Sequence, residues 1–92
     1  MGAPAQTFEK DPDAVLDYVV NWEMWLAGDT IATSTWTAET GITVVSDTET
    51  ATTTTVWLSG GTAGSDYNVV NRVTTTMGRT DDRTLRIRVR EQ

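Results

Sequence analysis

From Ser65 to Gln92 apolar and polar positions alternate along two runs joined by a polar segment. In the second run Leu85, Ile87 and Val89 are interleaved with Arg86, Arg88 and Arg90. Period 2 is the mark of a strand with one buried and one wet face. The three aliphatic residues are therefore expected in a core and the three arginines outside it. The first run places Tyr67, Val69, Asn71 and Val73 on one face by the same count. Asn71 would then be an inward amide that needs partners, and a tie to a neighbouring loop is expected. Met77-Gly78 followed by Arg79-Thr80-Asp81-Asp82-Arg83 is expected to form the turn of this hairpin.

The same reading extends upstream. Leu16, Tyr18, Val20 and Trp22 alternate with Asp17, Val19 and Asn21, which predicts a first core strand over Ala14 to Trp22. Trp22, Trp25 and Leu26 then stand at i, i+3 and i+4, one face of a single helical turn that Gly28 would end. Strands are predicted over Thr30 to Glu39, Ile42 to Val45 and Glu49 to Ser59, with turns at Thr40-Gly41 and Ser46-Asp47-Thr48. In the last of these strands Thr54, Val56 and Leu58 share a face, so Trp57 points the other way. Ser59 to Ser65 is a glycine-rich connection without the Lys-Ser/Thr of a phosphate loop. Residues 1–9 carry Phe8 as their one apolar anchor and are expected to form a flexible N-terminal arm; residues 10–92 are expected to form one domain.

Six or seven short strands separated by turn signals, with one short helical turn near Trp22 to Leu26, predict an all-β fold, a small antiparallel immunoglobulin-like β-sandwich. Tyr67 follows a turn, where a tyrosine corner would place it. The cysteine pair of antibody domains is missing.

Composition changes the picture in three ways. Nineteen threonines in 92 residues suit strands with a wet face, and four tryptophans supply material for a core. The charge of −6 is uneven: Met1 to Asp66 holds ten acidic residues and one basic, Tyr67 to Gln92 three acidic and six arginines. Overall acidity argues against nucleic acid, and the asymmetry invites pairing of the arginine stripe with Asp17, Glu9 or another copy. The lack of cysteine and histidine removes disulfides, thiolate chemistry, catalytic triads and imidazole metal sites. Three carboxylates in Glu9 to Asp13 lack the spacing of a calcium loop. No apolar run is long enough to span a membrane, and the N-terminus has no secretory pattern, so synthesis in a cytoplasm is expected. No enzyme activity and no cofactor are expected. The candidate contact residues are Phe8, Trp57, Arg86, Arg88 and Arg90. Trp25 and Trp36 are candidates for an aromatic platform that would bind sugar.

Lys10 to Tyr18, Gly28 to Trp36, Val56 to Gly64, Asn71 to Thr75 and Gly78 to Asp81 resemble a family of small acidic proteins of tailed bacteriophages, the fibre-tail adaptor type. The resemblance covers roughly Lys10 to Glu91. It implies a non-enzymatic virion module with an Ig-like fold, present in multiple copies and bound to other phage structural proteins of tail, neck, fibre or capsid. Capsid-surface decoration, carbohydrate-binding adhesion and inhibition of a host protein are the other roles considered.

Overall fold

The computed structural model describes residues 6–91. Seven strands form two sheets. A four-stranded sheet has the order β1 (Gln6–Lys10), β7 (Thr80–Val89), β6 (Asp66–Thr75), β3 (Ile31–Ala38). A three-stranded sheet has the order β2 (Leu16–Asn21), β5 (Thr53–Gly60), β4 (Ile42–Glu49). One helical turn, α1 (Glu23–Leu26), follows β2. The fold is an all-β sandwich, as the period-2 pattern predicts.

The alternation in sequence is the alternation in space. Tyr18, Val20, Val56 and Leu58 enter the core from one sheet, and Val69, Val73, Leu85, Ile87 and Val89 from the other. Trp22 and Leu26 also join this core. Trp22 has no exposed surface, Leu26 is buried, and Trp25 is half-buried with its ring edge against Trp22 at 5.2 Å. Leu16 starts β2 and stays 39% exposed, because it lies at the margin of the core. The turn ends at Ala27 in the left-handed region (φ 49°) and not at Gly28; the Ala27 N–H donates to the Glu23 carbonyl.

Asn71 is the polar centre of this core. Its Oδ1 accepts from Trp22 Nε1 at 3.0 Å and from the Thr54 hydroxyl at 2.7 Å. Its Nδ2 donates to Ser34 Oγ at 2.9 Å and to the Thr35 carbonyl at 3.0 Å. Every hydrogen-bonding position of the amide is used, as burial requires. The expected tie to a loop is corrected: the partners come from β3, β5 and the residue after β2. Tyr67 makes the expected corner, its hydroxyl accepting the Thr62 N–H at 2.9 Å. Its ring lies so close to Gly41 (φ 110°) that a Cβ there would stand 2.7 Å from Tyr67 Cε1.

Four boundaries differ from the expectation. Gln6 to Glu9 are not an arm; they belong to β1, which runs parallel to β7 with Phe8 beside Ile87 and Lys10 beside Val89. Pairing to an open edge satisfies the backbone, and Phe8 packs on the Tyr18 ring at 5.0 Å. The sandwich is therefore not antiparallel throughout. Met1 to Ala5, the rest of the expected arm, lie outside the described residues. Ser46-Asp47-Thr48 is strand, because a bulge at Val45 carries β4 on to Glu49. The reversal comes at Thr50, whose hydroxyl accepts the N–H groups of Thr52 and Thr53. Thr80 to Arg83 are strand as well, and the hairpin turns at Thr76 to Arg79.

Two buried charges hold the margins. Lys10 has no exposed surface; its Nζ donates to the Gly60 carbonyl at 2.7 Å and the Asp11 carbonyl at 2.9 Å, linking β1 to the far end of β5. Burial pushes its pKa down, against the opposing pull of Asp11 and Asp13. Asp29 accepts the Thr30 N–H, the Thr76 hydroxyl and Arg79 Nε. Arg79 also donates to the carbonyls of Trp25 and Leu26 and lies over the Trp25 ring at 4.4 Å. This knot fastens α1 to the β6–β7 turn. Hydrogen bonds from the Thr75 hydroxyl first, then from Thr30, Thr76 and Arg79, outweigh burial and hold the Asp29 carboxyl at about 2.

Two outcomes follow. Asn71→Ala removes four hydrogen bonds, leaves the Trp22 Nε1–H only its longer bond to the Thr54 hydroxyl at 3.3 Å, and opens a cavity, so it should lower unfolding free energy by roughly 2–4 kcal/mol in urea titrations followed by tryptophan fluorescence. The Asp29 carboxyl has a folded pKa below its ordinary 3.8, so its contribution is present above about pH 4 and fades as pH falls through about 2. Asp29→Asn should therefore be less stable than the parent at pH 6, with the gap closing steadily between pH 4 and pH 2.

Candidate functional site

With the core accounted for, the chemistry left to solvent lies on the two outer sheet faces and one pole. The outer face of the four-stranded sheet is polar. Alternation along β7 turns Arg86 and Arg88 outward, and Arg90 follows just past the strand. In register, Arg88 lies between Glu9 and Asp66, and Arg86 between Thr7 and Asn68. Asp66 takes ion pairs from Arg88 at 3.8 Å and Arg90 at 3.3 Å. Within the chain, Asp66 on the adjacent strand takes the place expected of Asp17 or Glu9. Further along, Arg72 forks onto Asp82 with bonds of 2.7 and 3.0 Å. That hydrogen bonding draws the Asp82 pKa down and the Arg72 pKa up. Such exposed pairs contribute only about 0–1 kcal/mol each; their effect is to neutralise the face. Arg86 is exposed and makes no ion pair among the described residues.

The outer face of the three-stranded sheet has the opposite character. Trp57 lies on the central strand, 39% exposed, directly across from Asp17 on β2. Val19, 51% exposed, sits across from Thr55 and diagonal to Trp57. Val15 precedes β2 with the same parity, and the bulge of β4 sets Val45 alongside Trp57; both are exposed. None of these three strands contains a lysine or arginine; Asp17 is the strand carboxylate on this face, since Asp47 and Glu49 pair with buried Val56 and Thr54 and share their side of the sheet. The result is an apolar strip with one carboxylate set in it.

The other candidates are engaged within the fold. Phe8 is half-buried and faces inward against Tyr18. Trp25 carries Arg79 over its ring. Trp36 is half-buried against the core in register with Asn71, and its Nε1 is buried without a hydrogen-bond partner among the described residues. Arg83, placed in a turn by its sequence surroundings, instead stacks over Trp22 at 4.2 Å and donates to the Asn21 carbonyl. At the α1 pole an open groove of about 490 Å³ is lined by Leu26 to Asp29, Met77 and Arg79, and Met24 and Met77 are almost fully exposed.

Sequence reasoning missed Val15, Val19 and Val45 as surface residues. A usable signal exists for Val19 alone, an aliphatic residue at the polar phase of an alternating strand. Among the described residues no cluster of three or more His, Cys, Asp or Glu could hold a metal ion, and no helix is long and apolar enough to cross a membrane. Asp29, the carboxylate with the strongest shift, is fully occupied by its own hydrogen bonds.

No curated protein matches the chain at a significant level. A family model does: the one described as podophage GP4 fiber-tail adaptor protein gp77 matches residues 10–88. The match begins at buried Lys10, takes in the core network and both outer sheet faces, and stops one residue short of the end of β7. By a match over this much of its length, the chain belongs to the podophage GP4 fiber-tail adaptor protein gp77 family.

Proposed function

We propose that this chain is a non-catalytic joint of the phage particle, linking tail and fibre components through protein–protein contacts, in several copies and without nucleic acid or membrane. The observation that carries this reading is the family match over residues 10–88. The structure supports it physically. The described groups with shifted pKa values are held in internal bonds or buried, and the accessible surface offers two faces of unlike chemistry. An adaptor has to hold two neighbours at once, and distinct faces let it do so without competition.

The architecture of the joint is immunoglobulin-like in this reading. The sheet orders β2-β5-β4 and β7-β6-β3 correspond to strands B-E-D and G-F-C of that sandwich, and Tyr67 occupies the corner position. Residues 10–92 act as one module synthesised in the host cytoplasm and carried in the virion. Arg86, with Arg88 and Arg90 beside it, forms one contact surface and Trp57 the other; Phe8 supports the seam between the sheets at the β1 edge. An aromatic platform of Trp25 and Trp36 finds less support, because Arg79 lies over one ring and the core takes up part of the other.

Two measurements test the role. Mass spectrometry and cryo-electron microscopy of purified particles should find the chain at the junction of tail and fibre; mature particles without it would overturn the reading. The double substitution Arg86→Glu and Arg88→Glu should cut incorporation at least tenfold while the melting temperature changes little, since both side chains are exposed. Unchanged incorporation would remove the arginine face from the contact set.

A further inference from the structure

The outer face of the three-stranded sheet is built unlike the rest of the surface, and its composition limits what can cover it. Most outward positions of β4 and β5 are threonine or serine. Among these hydroxyls Trp57 stands at the centre with Val19 diagonal to it, Val45 at the bulge and Val15 at the end of the strip. Trp57 is 39% exposed and each valine is more than half exposed. The burial of Val56 and Leu58 on the other side of β5 shows that the register is fixed, so this strip cannot rotate into the core. In the middle of it Asp17 lies across from Trp57, and none of the three strands has a cation to neutralise it.

We infer that this face is the seat of a single segment of a different phage protein, one that presents an apolar stripe with a lysine or arginine beside it. The inference rests on the adaptor reading and names the partner's chemistry for one of its two surfaces. Size argues for a segment. Three strands spaced about 4.8 Å apart and eight residues rising about 3.3 Å each make a face of roughly 350–400 Å². A stable globular interface needs about 800 Å² from each side. Charge argues against a second copy. The chain carries −6 overall, and two such faces laid together would bring Asp17 against Asp17. The arginine-bearing face of a second copy fits no better, because among the described residues it has no large exposed apolar side chain to meet Trp57, and three of its four arginines are already held by Asp66 and Asp82. A cation on an apolar segment would reach Asp17 while its neighbours cover Trp57 and Val19, and aromatic anchors of this kind dominate interface energetics.

The test uses the full chain in assembled particles. A photo-crosslinking p-benzoylphenylalanine placed at Thr55, beside Val19 and Asp17, is activated in purified particles and the product mapped by mass spectrometry. The expected product joins Thr55 to another structural protein, in a segment with several aliphatic or aromatic residues and a lysine or arginine within about one helical turn, four residues. Separately, Asp17→Lys should lower the number of copies per particle at least tenfold, whereas Asp17→Glu should leave it within about twofold. Crosslinks to another copy of this chain, crosslinks to an acidic segment, or no crosslink from particles that contain the protein would each overturn the inference while leaving the adaptor role standing. Equal incorporation of Asp17→Lys would overturn it as well. Absence of the protein from particles would remove the adaptor role and this inference together.

Discussion

The structure depends on one buried amide. Two β-sheets packed on aliphatic side chains alone are held by a non-directional force, which tolerates sliding of one sheet over the other. Asn71 removes that freedom. Its four hydrogen bonds reach Trp22, Thr54, Ser34 and Thr35, so one side chain on β6 sets the position of β5, β3 and the start of the helical turn. The bonds exist only in one relative placement of the sheets. A missing bond leaves a polar group unpaired in the dry interior, at a cost of about 1–3 kcal/mol. The network therefore acts as a register pin, and Trp22 transmits it outward: its ring is covered by Trp25 on one side and by Arg83 on another.

A second constraint works at the margins. Small sandwiches have open edges and ends where backbone groups lie close to water. Here a long cation or a carboxylate is drawn inward at each weak point and satisfied by backbone groups and hydroxyls. Lys10 ties the parallel first strand to the end of β5; the Asp29–Arg79 knot ties the helical turn to the β6–β7 hairpin. Without a disulfide to staple the two sheets, these ties take over the work of fixing the ends.

With core and ends secured by internal bonds, the surface is free to differ from face to face. Asp66 and Asp82 hold three of the four arginines of one sheet face in ion pairs, and the opposite sheet carries an apolar strip with Asp17 set in it. A rigid body with unlike faces is what a joint between two different neighbours requires.

Period-2 alternation was enough to determine the all-β class, the inward sets of β5, β6 and β7 and the inward places of Tyr67 and Asn71. Each of these follows from local geometry, because alternation assigns a face without reference to any other strand. Alternation was silent where a long-range partner decides. Gln6 to Lys10 become a strand only because β7 offers an open edge, and Lys10 can be buried only because the Gly60 carbonyl is waiting for it. Thr80 to Arg83 look like turn residues, yet β6 supplies their pairing and Trp22 a seat for Arg83. The arginine stripe could be read from the sequence, but its neutralisation by Asp66 could not, since the pairing depends on which strand lies alongside. The apolar strip around Trp57 was equally hidden: Val19 on β2, Val15 just before it and Val45 on β4 meet Trp57 only when the sheet forms. The chain by itself determined which residues face in and which face out; the tertiary structure alone decided what each outward residue stands beside, because neighbours across a sheet are set by strand order and register, which no local pattern encodes.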